Sequence, residues 1–314
     1  MTFQSTKDFQ DNSLLHMLFG PADSHLRHIE QKLGVKLASR GNQVLVAGDQ
    51  NLVEAAMATL DRLYDRLSDG QEVGTADIDA ALRFEQEPDP AAGPVPTIIT
   101  RKRHVQARTP TQAAYMRAME KHQLVFGLGP AGTGKTYLAV AQAVSMMLKG
   151  EVDRIILSRP AVEAGERLGF LPGDMKDKVD PYLRPLYDAL NDMLPGDQVA
   201  KRLAAGDIEV APLAFMRGRT LAHAFVILDE AQNTTPMQMK MFLTRLGEHS
   251  RMVITGDLSQ IDLPSGMPSG LRDALGILEG VEGIGRIAFT DKDVVRHELV
   301  ARIVRAYDAH DKKK

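Results

Sequence analysis

Cysteine and tryptophan are absent from this chain of 314 residues, and aromatic residues make up only 5% of it. Without cysteine the protein can form neither a disulfide nor a thiolate metal site, which suits a reducing compartment. So few aromatic side chains argue against extensive stacking on nucleic-acid bases. The apolar fraction of 44% and the charged fraction of 25% are those of an ordinary soluble globular protein.

The sequence also lacks a long apolar run and a strong charge of either sign. No apolar stretch approaches the roughly 20 residues needed to cross a bilayer, and the N-terminus has no basic-then-apolar signal layout. We therefore expect a cytoplasmic protein. The net charge is −3, and residues 1–100 carry 8 Lys and Arg against 15 Asp and Glu. A nucleic-acid partner would have to be bound at local basic patches.

The pattern along the first part of the chain predicts a small α+β domain over residues 1–86. A helix is expected in "LRHIEQKL", a hairpin where "VKLAS" and "QVLVA" flank "RGN", and a longer helix after Asp49. Residues 87–104 contain four prolines and are predicted to be a linker. The basic segment "RKRHVQAR" lies at the end of this linker.

From residue 105 to 311, short apolar runs alternate with helical segments. Their near-continuous apolar character is typical of parallel strands that are covered on both faces. The strand candidates are "LVFGL", "RIILS", "IEVAP", "FVILD", "MVITG" and "IGRIAF". The alternation predicts an α/β domain with a mostly parallel, three-layer sheet.

The segment "GPAGTGKT" lies between a predicted strand and a predicted helix and matches the pattern of a phosphate-binding loop. Its glycines allow successive backbone N–H groups to converge on phosphate oxygens, and the helix directs its positive dipole end at the anion. Lys135 is predicted to reach the β- and γ-phosphates, and Thr136 to hold Mg²⁺. The predicted nucleotide contacts are Gly129, Pro130, Ala131, Gly132, Thr133, Gly134, Lys135 and Thr136.

Two further strands deliver polar residues to their carboxyl ends, where α/β sheets bind ligands. After "FVIL", Asp229 is predicted to hold the metal and Glu230 to orient an attacking water. An acidic partner for water favours hydrolysis over transfer to a substrate hydroxyl. After "MVITG", Gln260 is the candidate sensor of the γ-phosphate, and Asp257 is a candidate for positioning metal or water.

Taken together, "GPAGTGKT", "SRPAVEAGERLGFLPGD", "FMRGRT", "ILDEAQNTT", "TGDLSQIDLP" and "DVVRHELVARIVRAY" resemble the PhoH family. These are phosphate-starvation-inducible ATPases related to superfamily 1 helicases. The resemblance implies a cytoplasmic, ATP-binding protein with a RecA-like core and a role in RNA metabolism. It also implies assembly into a ring, with a hexamer as one form, and an endoribonuclease of the YbeY type as a partner. The N-terminal domain resembles the KH-like domain of the long members of the family.

The resemblance suggests an adenine contact as well. A glutamine shortly before the phosphate loop reads adenine in the helicase relatives, and Gln112 matches it. The same residue also completes a predicted capping box that starts at Thr109. The pattern recurs as "TPMQ" at 235–238, where no adenine contact is expected. Both interpretations of Gln112 are open.

An arginine is the natural partner for charge that develops on the γ-phosphate. The candidates are Arg159, Arg217, Arg219 and Arg296. We favour Arg296, which follows the last predicted strand and would open the final helix with Asp293 as its cap. In a ring, Arg217 or Arg219 would serve the site of a neighbouring subunit.

Three functions are open. The first is ATP hydrolysis coupled to work on RNA, although a helicase needs two RecA-like cores and this chain has room for one. The second is an ATP-regulated module that assembles or recruits a ribonuclease without separating strands. The third, a small-molecule phosphotransferase, is disfavoured by Glu230 and Gln260. The N-terminal domain lacks the G-x-x-G loop with which KH domains clamp nucleic acid, so RNA binding and a packing role are both open there.

Overall fold

The computed structural model describes residues 3–86, 95–160, 175–295, 300 and 303. The described residues divide into two compact units. The first consists of residues 3–86 with 107–110, and the second of residues 95–106 with those from 111 onward. In the described part of the chain, no helix combines the length and the apolar character needed to pass through a bilayer.

The first unit is a three-stranded antiparallel sheet packed against helices, with strand order β1-β3-β2. Its elements are β1 (Phe3–Asp8), α1 (Leu15–Phe19), α2 (Ser24–Leu33), β2 (Lys36–Arg40), β3 (Gln43–Gly48), α3 (Gln50–Ser68) and α4 (Thr75–Gln86). The predicted hairpin is confirmed, because Arg40 pairs with Gln43 across a short turn. Alternate β3 side chains, Val44 and Val46, are buried in one cluster with Leu60 of α3.

Part of the segment predicted to be a linker is structured. From residue 95 on it belongs to the second unit, where β4 (Thr97–Ile99) pairs antiparallel with β5 (His104–Gln106). The side chains of Ile98 and Val105 are buried. Residues 97–104 of the predicted linker, 87–104, therefore belong to a hairpin that is part of the second unit.

The second unit is built on a six-stranded sheet whose neighbouring strands all run parallel. Its strands are β6 (Leu124–Leu128), β7 (Arg154–Arg159), β8 (Ile208–Pro212), β9 (Ala224–Leu228), β10 (Arg251–Gly256) and β11 (Ile284–Ala288). Each of them coincides with a run that was predicted to be a strand. The order is β11-β6-β10-β9-β7-β8, so that one strand separates β6 from β9, as in RecA-like cores. The predicted fold class is confirmed.

Helices cover both faces of this sheet. They are α5 (Pro110–Lys121), α6 (Lys135–Leu148), α7 (Met175–Met193), α8 (Gly196–Ala205), α9 (Pro236–Leu243) and α10 (Gly270–Ile277). On one face, Phe126 and Ile254 of the sheet share a buried cluster with Phe242 of α9 and Leu271 of α10. From the other face, α6 contacts β7, β9 and β10. Side chains alternate between the two faces of a strand, and both faces of this sheet are covered by helices. The central strands are therefore mostly apolar, as β9 (Ala224–Leu228) is throughout.

Candidate nucleotide-binding site

The residues predicted to bind nucleotide follow neighbouring strands along one edge of the sheet. Parallel strands bring their carboxyl ends to the same edge, and adjacent strands lie about 4.8 Å apart. The phosphate loop begins at the carboxyl end of β6, and Asp257 lies at the carboxyl end of the next strand in the sheet, β10. Asp229 and Glu230 follow β9, and Arg159 ends β7. The strand order therefore sets these groups side by side, although they are distant in sequence.

The phosphate loop needs glycine at its first position for two reasons. Gly129 has a φ of 136°, which side chains rarely tolerate, and a Cβ there would lie 2.4 Å from the main-chain oxygen of Phe289. Gly134 adopts the left-handed conformation, with a φ of 85°, at the N-terminal cap of α6. The loop thus curls tightly into the start of α6, where a helix dipole favours an anion.

Lys135 is the first residue of α6, and its side chain lies over the phosphate loop. Its Nζ donates to the carbonyl oxygens of Gly129 at 2.6 Å and Pro130 at 2.8 Å. Burial lowers the pKa of Lys135 below its usual value, and the carboxylates nearby, Asp257 foremost, oppose that shift. The ammonium group is thus held at the loop, within a site where anionic phosphate would relieve its desolvation.

Asp229 joins the acidic pair to the phosphate loop. Its Oδ1 atom accepts hydrogen bonds from Oγ1 of Thr136 at 2.6 Å and from Oγ1 of Thr255 at 2.7 Å. The side chain is buried. A carboxylate and a hydroxyl in contact are the hard oxygen donors that Mg²⁺ prefers, so Thr136 and Asp229 fit the predicted metal site. The structure brings both predicted ligands together.

Glu230 is held in a strained conformation at the same edge. Its φ is 51°, in the left-handed region that non-glycine residues seldom occupy. Its Oε2 atom accepts from Nε2 of Gln232 at 2.6 Å, and its Oε1 atom lies 3.4 Å from Nη2 of Arg159. The carboxylate is 37% exposed, so water can reach it. The geometry suits a group that orients water at the rim of the pocket.

The segment after β10 contributes Asp257 and Gln260. Asp257 accepts at Oδ1 from the N–H of Ser259 at 2.9 Å and from its hydroxyl at 2.6 Å. Its Oδ2 atom is buried and has no hydrogen-bond partner among the described residues. The main-chain N–H of Gln260 donates to the carbonyl oxygen of Asp257 over 3.0 Å, which closes a turn. Gln260 is exposed and lines the same pocket as the phosphate loop.

A single pocket of about 230 Å³ contains most of these groups. It is lined by the phosphate loop, the acidic pair and the segment after β10, namely Ala131, Gly132, Gly134, Lys135, Thr136, Tyr137, Asp229, Glu230, Gly256, Asp257 and Gln260. The predicted lysine-bearing loop and acidic pair therefore share one rim of the sheet. The arrangement is that of a P-loop NTPase.

Gln112 contacts the phosphate loop itself. Its Nε2 atom donates to the carbonyl oxygen of Thr133 at 2.9 Å, and its side chain is buried. Its contact with adenine stays a prediction. At the second copy of the pattern, the capping box is confirmed, because Thr235 and Gln238 exchange both expected hydrogen bonds.

The arginines after β8 differ in their surroundings. Arg219 forms two parallel hydrogen bonds to Glu209, at 2.6 and 2.7 Å, and this pair raises the pKa of Arg219. Arg217 is exposed, and within the described ranges no hydrogen bond or ion pair of its side chain is found. Four steps separate β8 from β6 in the sheet, about 19 Å. The strand before these arginines is thus distant from the phosphate loop, and Arg219 is held by Glu209.

Arg296, the favoured arginine, lies outside the described residues. The segment that leads to it crosses the phosphate loop, since the N–H of Val295 donates to the carbonyl oxygen of Gly132 over 3.0 Å. Asp293, predicted to cap the final helix, is engaged in the turn before it. Its Oδ2 atom accepts from the N–H of Thr290 at 2.8 Å.

Comparison with known proteins assigns the chain to a family. A family model described as PhoH-like protein matches residues 104–308, more than half of the chain. The chain belongs to the PhoH family. A PhoH-like protein of Bacillus subtilis (strain 168) is 51% identical over 296 residues, which cover 93% of this chain and 93% of that protein. The family resemblance expected from the motifs is thereby confirmed.

Other PhoH relatives agree with this assignment. A PhoH-like protein of Mycobacterium tuberculosis (strain ATCC 25618 / H37Rv) is 50% identical, covering 94% of this chain and 85% of its own. Protein PhoH of Escherichia coli (strain K12) is 48% identical over 65% of this chain and 58% of its own. Among solved structures, the Sulfolobus solfataricus SWI2/SNF2 ATPase core in complex with dsDNA matches at 15% identity and a TM-score of 0.37. That match covers 65% of this chain and 47% of the other.

Sequence reasoning missed one residue of this PhoH-family site. Gln232 follows the acidic pair by two positions, and its amide contacts Glu230 on one side and the segment after β10 on the other. The signal was present in "DEAQN", where a polar residue follows an acidic pair that ends a buried strand. Its partners in the segment after β10 could not be predicted from the sequence, because they depend on the order of strands.

Proposed function

We propose that this chain is a Mg²⁺-dependent ATPase that couples hydrolysis to RNA metabolism, as a helicase-like or RNA-remodelling protein. The observation that carries the proposal is the convergence of Lys135, Thr136, Asp229 and Glu230 on one pocket. Phosphoryl transfer requires this combination of a cationic cradle, a metal site and a group that positions the nucleophile.

Water is the proposed acceptor of the γ-phosphoryl group. Glu230 orients a water molecule and takes up its proton, while the water oxygen bonds to the γ-phosphorus. The bond from that phosphorus to the bridging oxygen breaks, and ADP and inorganic phosphate are released. Thr136 and Asp229 would hold Mg²⁺, which when bound neutralises charge on the phosphate oxygens. Lys135 and the loop N–H groups stabilise the same charge, and Gln260 contacts the γ-phosphate.

An arginine completes the proposed site. Arg296 remains our first choice, and the choice is supported by Val295, the residue before it, whose main-chain N–H donates to Gly132 of the phosphate loop. Arg159 is the second choice, since it already lies beside Glu230. In an assembled ring, the exposed Arg217 is the better candidate for a neighbouring site, because Arg219 is paired with Glu209.

The RNA part of the proposal rests on the family and on local charge. Arg101, Lys102 and Arg103 are exposed together on the turn between β4 and β5. Such a patch can hold phosphates of a single strand even in a chain of net charge −3. We further propose a cytoplasmic location, a homo-oligomeric ring, and a YbeY-type endoribonuclease as partner. A second core, supplied by oligomerisation, would be needed for strand separation.

A second function is assembly or recruitment under the control of ATP. Phe215 is 55% exposed and Met237 is 75% exposed, so both apolar side chains are accessible to another protein. In this second function, ATP binding controls oligomerisation or the recruitment of a ribonuclease, and the protein does not unwind RNA duplexes. Turnover would then be slow and insensitive to RNA.

One set of assays tests the proposal and separates the two versions. ATP hydrolysis is measured with and without single-stranded RNA, at low and moderate salt, beside Lys135→Ala and Glu230→Gln. We expect Lys135→Ala to lose nucleotide binding, and Glu230→Gln to bind ATP but turn it over at least 100-fold more slowly, in keeping with general-base catalysis. Stimulation by RNA supports the first version. ATP-dependent association on a sizing column without RNA stimulation supports the second, and absence of hydrolysis under all conditions contradicts the ATPase.

A further inference from the structure

Gln232 uses all the hydrogen-bonding capacity of its side-chain N–H groups at this edge of the sheet. Its Nε2 atom donates to Oε2 of Glu230 at 2.6 Å and to the main-chain oxygen of Gln260 at 3.1 Å. Its Oε1 atom accepts from the main-chain N–H of Asp257 at 3.0 Å. Both amide protons and the carbonyl oxygen are therefore used. An amide so satisfied has one orientation.

The surroundings of Gln232 leave the side chain little freedom. The residue is 1% exposed. Its main-chain oxygen accepts from the hydroxyl of Ser269 at 2.8 Å. A Cβ at Gly256 would lie 2.9 Å from its Oε1 atom, so the amide packs directly on the end of β10. A buried, fully bonded network of this kind holds its members in a single geometry.

Glu230 would not hold its own position without that contact. Its carboxylate is 37% exposed and its backbone is in the left-handed region. The Oε1 atom faces the guanidinium of Arg159 at 3.4 Å, a longer contact than the one to Gln232. Loss of the amide would leave the ion pair and the solvent to set the carboxylate's direction, and exposed ion pairs orient weakly.

We propose that Gln232 is the positioning residue that aims Glu230 at water and couples it to the segment 257–260. The inference rests on the proposed function, in which Glu230 orients the attacking water and Gln260 contacts the γ-phosphate. A movement of Gln260 or Asp257 on binding ATP is passed to Glu230 through one rigid amide. Hydrolysis is thereby tied to the presence of a γ-phosphate.

The test uses two substitutions in the full chain. Gln232→Glu keeps the shape and the acceptor for Asp257, but it removes the donor to Glu230. Gln232→Met keeps the length and buries no charge. We expect kcat for ATP to fall about 10- to 100-fold in both, since a misplacement of about 1 Å can cost about 100-fold. KM and the affinity for a fluorescent ATP analogue should stay within about threefold, because Gln232 does not line the pocket.

Gln238→Glu is the matched control, since Gln238 also bonds a main-chain group, the N–H of Thr235 at 2.9 Å, but outside the pocket. It should leave kcat unchanged. If both Gln232 variants lose nucleotide binding, or if both keep the normal kcat, the positioning role is wrong. Loss of nucleotide binding in both variants would show that Gln232 only stabilises the fold.

A double-mutant cycle decides whether Gln232 acts through Glu230. Added to Glu230→Gln, the substitution Gln232→Met should reduce the residual turnover by less than about twofold, because the group that it aims is already inactive. A further loss as large as that seen in the unmodified chain would overturn the proposal. If Glu230→Gln alone leaves turnover normal, the proposed function fails instead, and the two failures are thus distinguishable.

Discussion

The hydroxyl of Thr136 donates a hydrogen bond to the Asp229 carboxylate over 2.6 Å, although 93 residues separate the two in sequence. The same oxygen accepts from Thr255, so the ends of β9 and β10 and the start of α6 meet at one carboxylate. A buried carboxylate that is satisfied by hydroxyls alone keeps its charge available for a cation. This contact therefore links the phosphate loop to the proposed metal site.

Asp229→Asn tests that link. The amide oxygen can still accept from both hydroxyls, so the fold should persist, but the negative charge is lost. We expect the Mg²⁺ concentration for half-maximal nucleotide binding to rise about 10- to 100-fold. Asp262→Asn is the control, because Asp262 bonds Asn233 outside the pocket. An unchanged Mg²⁺ requirement in Asp229→Asn would remove Asp229 from the metal site.

The lowered pKa of Lys135 predicts a dependence of stability on pH. Between that lowered value and the ordinary value of 10.5, the unfolded chain binds more protons than the folded chain. Stability in this interval therefore rises with pH. We expect the free energy of unfolding of the ligand-free chain, measured in urea at increasing pH up to 10.5, to rise relative to that of Lys135→Ala. If the free energy of unfolding changed with pH in the same way for both proteins, the lowered pKa of Lys135 would be contradicted.

Gly129→Ala should weaken nucleotide binding far more than a substitution by alanine at another glycine with positive φ. The new Cβ would lie 2.4 Å from the oxygen of Phe289, so the loop must move. Gly150 has a φ of 73° and open space around it, which makes Gly150→Ala a strain-only control that should cost about 1–2 kcal/mol. We expect Gly129→Ala to lose nucleotide binding in a fluorescence titration while Gly150→Ala retains it. Equal binding by both would show that the loop tolerates a side chain.

Substitutions of the two arginines after β8 should have different effects, one on stability and the other on the activity of the assembled protein. Arg219→Ala breaks the paired hydrogen bonds to Glu209 and should lower the free energy of unfolding by about 1 kcal/mol, because the pair is partly exposed; the loss is measured as a lower Tm. Arg217→Ala should leave Tm unchanged. If Arg217 serves a neighbouring site, its loss slows ATP hydrolysis only at protein concentrations where the chain assembles. A uniform loss of turnover at every concentration would speak against that role.

Gln112→Ala distinguishes an anchor of the loop from a reader of adenine. The bond to Thr133 leads us to expect that ATP and GTP bind more weakly by similar factors, about tenfold at most for a hydrogen bond of this kind. Binding is measured by calorimetry with both nucleotides. A selective loss of ATP affinity, with GTP unaffected, would instead assign the adenine contact to Gln112.

Prediction from sequence succeeded where the information is local. Each strand of the larger sheet is a short apolar run such as "LVFGL", and burial on both faces makes that composition necessary. The phosphate loop was recognisable because Gly129 and Gly134 occupy backbone conformations that other residues avoid. The hairpin that contains Ile98 and Val105 was not foreseen, because the prolines before it are a strong local signal and two strands of three residues are a weak one.

The sequence by itself determined the parallel α/β core, the phosphate loop, and the delivery of Asp229, Glu230 and Gln260 to strand ends. Hydrophobic periodicity and glycine content act over a few residues, and they are written in the chain. Only the tertiary structure decided that β10 lies between β6 and β9, and hence that Thr255 reaches Asp229 and Gln232 reaches the segment after β10. Strand order arises from packing across the whole sheet, and a buried amide acquires its partners from that order.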